Sequence, residues 1–291
     1  MRQSSFAPGL YVAATPLGHL SDITERVRQA LADCDFLYAE DTRRAQALLS
    51  ALGIHRHRQS IRAMHGHNEK EVLEKLLDEL GTSRSAILIS DAGTPAISDP
   101  GSFLVQAAWQ AGIAVIPLPG PSAVITALSV SGFVGWPMSF WGFAPTKSGP
   151  RRQWLTEVLA TRGIAVIFEA PHRSHDCLKD CAEVFGGNTL MLHAREISKQ
   201  HETLIRGTIT EIRQRLDELQ QEDPGSSKGE MVWVFQLGEK SRKSEGQAQA
   251  EQWARVLIQE LPAASAAKCL MKIAGLSREE AYQAILHAQK N

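Results

Sequence analysis

Four segments gather glycine, proline and small polar residues just beyond short apolar runs, a pattern that could hold a ligand against backbone groups. Ala14-Thr-Pro-Leu-Gly-His19 follows the run Leu10–Ala14, and Glu40-Asp-Thr-Arg43 follows Phe36–Ala39. Ser90-Asp-Ala-Gly-Thr-Pro-Ala-Ile-Ser-Asp-Pro-Gly101 follows Ala86–Ser90, and Pro117-Leu-Pro-Gly-Pro-Ser-Ala123 follows Ala114–Leu118. Glycine lets the backbone approach a ligand closely, and proline holds a loop in one shape. One such segment reads as an ordinary turn, because turns use the same residues. Four in succession, with Asp91 and Asp99 flanking Gly-Thr-Pro, read as a pocket. The chain carries no G-x-x-x-x-G-K-[ST], H-E-x-x-H or G-x-S-x-G motif, and no G-x-G-x-x-G after a strand. Nucleotide hydrolysis, zinc proteolysis, serine hydrolysis and dinucleotide binding therefore lack their motifs.

The elements that position these loops follow from hydrophobic periodicity. The runs Leu10–Ala14, Phe36–Ala39, Ala86–Ser90 and Ala114–Leu118 predict strands. Between them lie helical stripes: Ile23, Val27 and Leu31 behind a Ser21 cap; Thr42–Leu52 stopped by Gly53; Asn68–Leu80 stopped by Gly81; and Phe103–Ala111. Alternating strand and helix predicts an α/β fold with a largely parallel sheet, whose ligands bind beyond the carboxyl ends of the strands. Glycine and proline cluster over residues 132–152, which reads as a boundary or hinge. Strands at Ala165–Phe168, Leu190–Ala194, Glu202–Ile205 and Met231–Gln236, with helices at Ser174–Phe185 and Glu211–Leu219, predict a second α/β unit with more antiparallel character. The polar stretch Gly238–Gly246 reads as a linker, followed by amphipathic helices carrying Trp253, Val256, Leu257 and Leu261 and covering 263–274 and 277–288. The expected division is an N-terminal α/β domain over 1–132, a C-terminal α/β domain over 133–237, a linker over 238–246 and a helical, helix-turn-helix-like appendage over 247–291.

With 291 residues, 43% hydrophobic and 22% charged, the chain is long enough for about two cored domains. Thirty-one basic against 32 acidic residues leave −1, so no global positive field marks a nucleic-acid binder and any such contact rests on local patches. Two runs qualify: His55-Arg-His-Arg58 through Arg62, and Lys147 with Arg151 and Arg152. Four scattered cysteines read as reduced thiols and His65-Gly-His67 as loop histidines, so no metal site is expected. No stretch of 18 apolar residues predicts a membrane span, and the N-terminus makes a poor secretory signal, so a cytoplasmic protein is expected.

The segments SDAGTPAISDPG, AEDTR, PGPSA, FEAPHRS, AREISKQHE and KGE resemble the tetrapyrrole methylase superfamily over residues 9–237. They are most similar to its branch of small-subunit ribosomal RNA cytidine-2′-O-methyltransferases. The resemblance implies two α/β domains of the class III methyltransferase type, S-adenosylmethionine in the cleft between them, and a homodimer. It also implies a cytidine ribose in the decoding region of small-subunit rRNA as substrate. By motif match, Pro16, Leu17, Asp91, Ala92, Gly93, Thr94, Ser122, Ala123 and Ala170 would line the cofactor. Porphyrin-methylating relatives carry a G-x-G-x-G-D loop after the first strand. Here the loop is Thr15-Pro-Leu-Gly18, which favours the rRNA branch. His19 stands where that branch often has asparagine. A methyltransferase of the same superfamily acting on a porphyrinoid or other non-RNA substrate is the alternative.

Methyl transfer from a sulfonium to a ribose hydroxyl needs alignment and a proton acceptor but no metal. The acceptor is open among Glu40, Asp41, Asp99, Glu169, His172, Glu196 and Lys199, with Arg43 placed to position substrate.

Overall fold

In the computed structural model, residues 6–57, 60–64, 69–81, 83–135, 137–223, 225, 228–238, 253–274 and 276–290 are described. The first half is a five-stranded parallel sheet ordered β3-β2-β4-β1-β5. Its strands are β1 (Gly9–Ala13), β2 (Phe36–Ala39), β3 (Ile61–Ala63), β4 (Ser85–Ile89) and β5 (Val115–Leu118). The short strand β3 lies within the stretch read from sequence as a basic run. Strand alternation sends Tyr11, Ala13, Leu37, Ala39, Ile87 and Ile89 to one face. There they meet α1 (Glu25–Asp33) and α2 (Thr42–Ala51). Leu10, Phe36, Tyr38, Ala86 and Leu88 meet α3 (Glu69–Gly81) and α4 (Ser102–Gln110) on the other face. Burial on both sides explains why β4 is apolar at nearly every position.

Helix α1 begins three residues later than its sequence pattern predicts. Thr24, whose hydroxyl accepts from Val27 N at 3.3 Å, is the cap, while Ser21 lies in a separate short turn, Leu20–Asp22. Ser21 and Thr24 are both competent caps. The turn at Leu20–Asp22 is held instead by His19, whose ring nitrogen accepts from Ser21 N.

The predicted hinge is structured. The chain leaves the first sheet at Leu118, forms α5 (Ala123–Ser131), and enters the second sheet with β6 (Met138–Phe143) before α6 (Ser148–Thr161). The second sheet is mixed, ordered β6-β7-β10-β8-β9, with β7 at Ile164–Glu169, β8 at Leu190–Arg195, β9 at Thr203–Thr208 and β10 at Met231–Gln236. Only β6–β7 is parallel; the other three pairings are antiparallel. One face packs on α6, α7 (Ser174–Phe185) and α8 (Ile209–Glu222), the last with a Thr208–Glu211 capping box. The other face, through Val166, Leu192, Ala194, Val232 and Val234, packs on α5.

Between α6 and α7 lies a buried ion pair. Arg151 Nε donates to Asp180 Oδ2 at 2.7 Å, and the Ser148 hydroxyl meets the same carboxylate at 3.0 Å. Deeper in this core, Trp233 Nε1 donates to His193 Nδ1 at 2.9 Å, which leaves the imidazole proton on Nε2. Burial, and secondarily the Arg195 charge, hold His193 down to about 4 from 6.5. The fold therefore requires the neutral ring, while the unfolded chain takes up a proton below 6.5. Stability from this residue is full above pH 6.5 and is lost as pH falls to about 4. The loss corresponds to roughly 3 kcal/mol. Urea denaturation of wild type and His193→Gln across that range should show a steeper acid decline for the wild type.

Beyond residue 252, helix α9 (253–260), α10 (Ala263–Ala274) and α11 (Arg278–Lys290) enclose their own small core of Ala254, Ala266, Ala267, Leu270, Ala281 and Ile285. The expected linker lies, from residue 239 to 246, outside the described residues, as do His65 and His67. No metal-binding group of three His, Cys, Asp or Glu occurs among the described residues, and none of their helices is long and apolar enough to cross a membrane.

Candidate active site

The loops after β1, β4 and β5 are tied into one surface by hydrogen bonds. Thr15 N donates to Gly93 O at 2.9 Å, Gly93 N returns a bond to Thr15 O at 3.0 Å, and the Thr15 hydroxyl donates to Ser90 O at 3.2 Å. The Thr94 hydroxyl then donates to Pro121 O at 3.1 Å, and Ser122 caps α5. Gly93 has φ +77°, a conformation that costs most side chains, and a Cβ there would sit 3.1 Å from Leu17 Cδ2.

Against this surface the ends of β6, β7 and β10 close a cleft of about 430 Å³. Its first-sheet side is Leu17, Glu40, Arg44, Asp91–Thr94, Ile97 and Asp99, continued by Ser122, Ala123 and Val124. The second-sheet side is Phe143, Phe168–Pro171 and Glu230–Val232. Edge contacts of Phe168 with Phe140 and Phe143 stiffen the apolar wall. Of the nine residues expected to line a cofactor, eight meet here. Pro16 instead lines a small neighbouring cavity of about 40 Å³, with Thr15, Asp41, Ala45 and Leu48.

The charged candidates divide. Glu40 lines the cleft, and burial, then Asp91 and Asp99, raise its pKa. Asp41 caps α2 and chelates Arg43 at 2.7 Å, which holds its carboxyl down at about 2. Arg43 is exposed in that pair, while its neighbour Arg44 reaches Asp91 at 3.2 Å. Glu196 and Lys199 are not among the cleft-lining residues. Lys199 Nζ bridges Glu196 at 2.9 Å and Glu230 at 3.0 Å, so they brace the wall from behind. Glu169 contributes its backbone: alternation along β7 turns its side chain with Ala165 and Ile167 toward α7, where it pairs with Arg173 at 2.6 Å and accepts from Ala170 N.

A model of the Tetrapyrrole (Corrin/Porphyrin) Methylases matches residues 9–213. The chain belongs to this family. A second model, the RsmI C-terminal HTH domain, matches residues 244–290. Near-full-length relatives named ribosomal RNA small subunit methyltransferase I include that of Xylella fastidiosa Temecula1, 39% identical over 94% of this chain and 98% of its own. That of Neisseria meningitidis serogroup B is 41% identical over 95% and 92%. Among solved structures, the cobalt precorrin-4 methyltransferase of cobalamin biosynthesis superposes with a TM-score of 0.56 at 15% identity, covering 78% of this chain and 95% of that one. The methyltransferase CobJ does so at 0.55 and 16%, over 78% and 93%. The two-sheet arrangement is thus the tetrapyrrole methylase fold.

For a member of this family, the sequence missed two things about the site. The apolar wall of Phe143, Phe168, Val124, Met231 and Val232 was not assigned, because β7 and β10 are apolar at nearly every position and alternation does not mark which residues reach the cleft. The basic runs qualified as local patches for phosphate contact, and three of their arginines are committed elsewhere in the structure. Arg56 is half-buried and donates to the carbonyls of Leu31 at 2.7 Å, Cys34 at 2.5 Å and Asp35 at 3.1 Å, closing the end of α1. Arg62 pairs with Glu79 at 2.9 Å and lies over the Phe36 ring. Arg151 is the buried partner of Asp180. Guanidinium groups satisfy several acceptors at once; the end of α1 offers carbonyls to Arg56, and α7 offers the Asp180 carboxylate to Arg151.

Proposed function

We propose that the protein transfers the methyl group of S-adenosylmethionine to the ribose 2′-oxygen of a cytidine in the decoding region of small-subunit rRNA. It is a methyltransferase, and the carrying observation is its near-full-length likeness to relatives named for that rRNA activity, together with an intact donor cleft. The residues present fit the donor. About 430 Å³ is within the range of small-molecule sites. Phe143, Phe168, Val124 and Met231 offer an apolar face for a purine, and the excess of carboxylates over Arg44 suits a ligand carrying sulfonium and ammonium charge.

In this reading, Leu17, Asp91, Ala92, Gly93, Thr94, Ser122, Ala123 and Ala170 hold the donor, with Pro16 shaping the loop from behind. The bound donor supplies an already activated methyl group. The chain's own residues align it with the acceptor and exclude water, a positioning effect of several kcal/mol. Arg43 and Arg44 at the Glu40 loop face the substrate side. The domain division 1–132, 133–237, linker 238–246 and appendage 247–291 is part of the same proposal, with α5 packed on the second sheet. A cytoplasmic homodimer is the working form. Exposed Ile125, Val130, Val134 and Leu204 support a subunit contact, which sedimentation at micromolar concentration would test.

Gly18 gives a test of the loop's placement. A Cβ there would meet the Lys199 side chain and lie 2.8 Å from Ser198 O, while His19 N already donates to Ser198 Oγ at 2.9 Å. Gly18→Ala is expected to push the loop off the second-sheet side and weaken donor binding about tenfold in calorimetry.

The decisive experiment is transfer from labelled S-adenosylmethionine to small subunits from cells lacking the enzyme, with alkaline-hydrolysis mapping. One hydrolysis-resistant cytidine linkage supports the reading. Label on a base, or none in RNA despite donor binding, overturns it.

A further inference from the structure

Five carboxylates border the cleft: Glu40, Asp91, Asp99, Glu169 and Glu230. Four already have partners. Asp91 holds Arg44 at 3.2 Å and accepts from Asp41 N at 3.3 Å. Asp99 sits against the Ser90 hydroxyl. Glu169 is turned to Arg173 on the far face of its sheet, and Glu230 is bridged by Lys199 at 3.0 Å. Glu40 meets no hydrogen bond or ion pair among the described residues, whereas Asp99 has the Ser90 hydroxyl beside it. It stands directly after β2, beside the β4 loop rather than inside the bonded surface of the β1, β4 and β5 loops. The groups facing it are Asp91, Asp99, Arg44 and Asp41, three acids against one cation that Asp91 already engages.

We infer that Glu40 is the proton acceptor of the transfer, receiving the acceptor hydroxyl's proton as its oxygen attacks the methyl carbon. This rests on the function proposed above. The oxygen–hydrogen bond breaks as the oxygen–carbon bond forms. The electron pair of the methyl–sulfur bond stays on sulfur, which becomes a neutral thioether. Glu40 ends as a carboxylic acid and returns its proton to solvent. A general base needs a free lone pair within reach of the reacting group and a basicity above that of an ordinary carboxylate. Glu40 has the free carboxylate, and burial, followed by its three acidic neighbours, raises its basicity.

The test compares wild type, Glu40→Gln and Glu40→Asp in single-turnover transfer to small subunits from cells lacking the enzyme, from about pH 4.5, the ordinary range of a glutamate, to about pH 9, with donor affinity measured by calorimetry. Glu40→Gln is expected to lose roughly 100- to 10,000-fold in rate, to keep its donor Kd within about threefold, and to lose the acid limb of the rate profile, while Glu40→Asp regains part of the rate. A Glu40→Gln rate within about tenfold of wild type, an acid limb that persists in it, or a donor Kd that weakens in step with the rate overturns the assignment. Wild type that transfers no label to the subunits overturns the proposed function, and this assignment with it. Glutamine variants that lose transfer while wild type is active bear on Glu40 alone.

Discussion

Replacing Asp180 by alanine is expected to destabilise the protein by about 3–5 kcal/mol, because it strands the buried Arg151 guanidinium. Both side chains are almost fully enclosed, at 4% and 7% exposure, so solvent cannot take the place of the lost carboxylate. Arg151 would keep only the Thr146 carbonyl at 3.0 Å and the more distant Pro145 carbonyl, and Ser148 would lose its acceptor. The pair joins the start of α6 to α7, the two helices that cover one face of the second sheet. Urea denaturation should show the midpoint falling sharply. Asp180→Asn, which keeps the volume and an acceptor oxygen but not the charge, should recover part of the loss. The double variant Arg151→Met/Asp180→Leu should cost less than Asp180→Ala, since it removes both charges instead of abandoning one.

Gly93→Val is expected to weaken donor binding at least about 100-fold, or roughly 2.7 kcal/mol. The position has φ +77°, which a β-branched residue tolerates poorly. Its Cβ would press on Leu17 Cδ2 at 3.1 Å, and the branches would enter the cleft that both residues line. Relief requires rotating the peptide, which breaks the paired bonds between Thr15 and Gly93 that join the two loops. Calorimetry with S-adenosylmethionine reads the effect. Because the strain is local to loops, the thermal midpoint should move by only a few degrees. Gly93→Ala should fall between, keeping the backbone strain without the branches.

Much of the candidate site was legible in sequence because most of the residues lining the first-sheet side of the cleft lie in continuous loops. Asp91, Ala92, Gly93 and Thr94 follow a strand whose five residues are all buried, and their types alone mark a close backbone approach. The same holds for Ser122 and Ala123. Strand β2 and helix α7 have the predicted bounds, Phe36–Ala39 and Ser174–Phe185, since each is flanked by clear polar or glycine stops. Strand β6 was hidden in the Gly- and Pro-rich stretch over 132–152, and helix α5, just before it, is apolar nearly all round, so its inward side becomes legible only when Ala127 and its neighbours meet Val166 and Val232.

By itself, the sequence determined the two α/β units, the strand-end loops and the family, because local periodicity and contiguous motifs are written in residue order. Tertiary structure decided which charges remain available for chemistry. Arg56, Arg62 and Arg151 look like equals of Arg44 in the chain, yet their guanidinium groups are enclosed by carbonyls or carboxylates distant in sequence, while Arg44, paired with Asp91 at the cleft, stays largely exposed. Glu169 and Glu40 both follow apolar runs, yet strand alternation turns one to Arg173 while the other, at the cleft, meets no hydrogen bond or ion pair among the described residues. Pairing and burial are set by contacts between distant segments, and those contacts determine which of two identical side chains can give or take a proton.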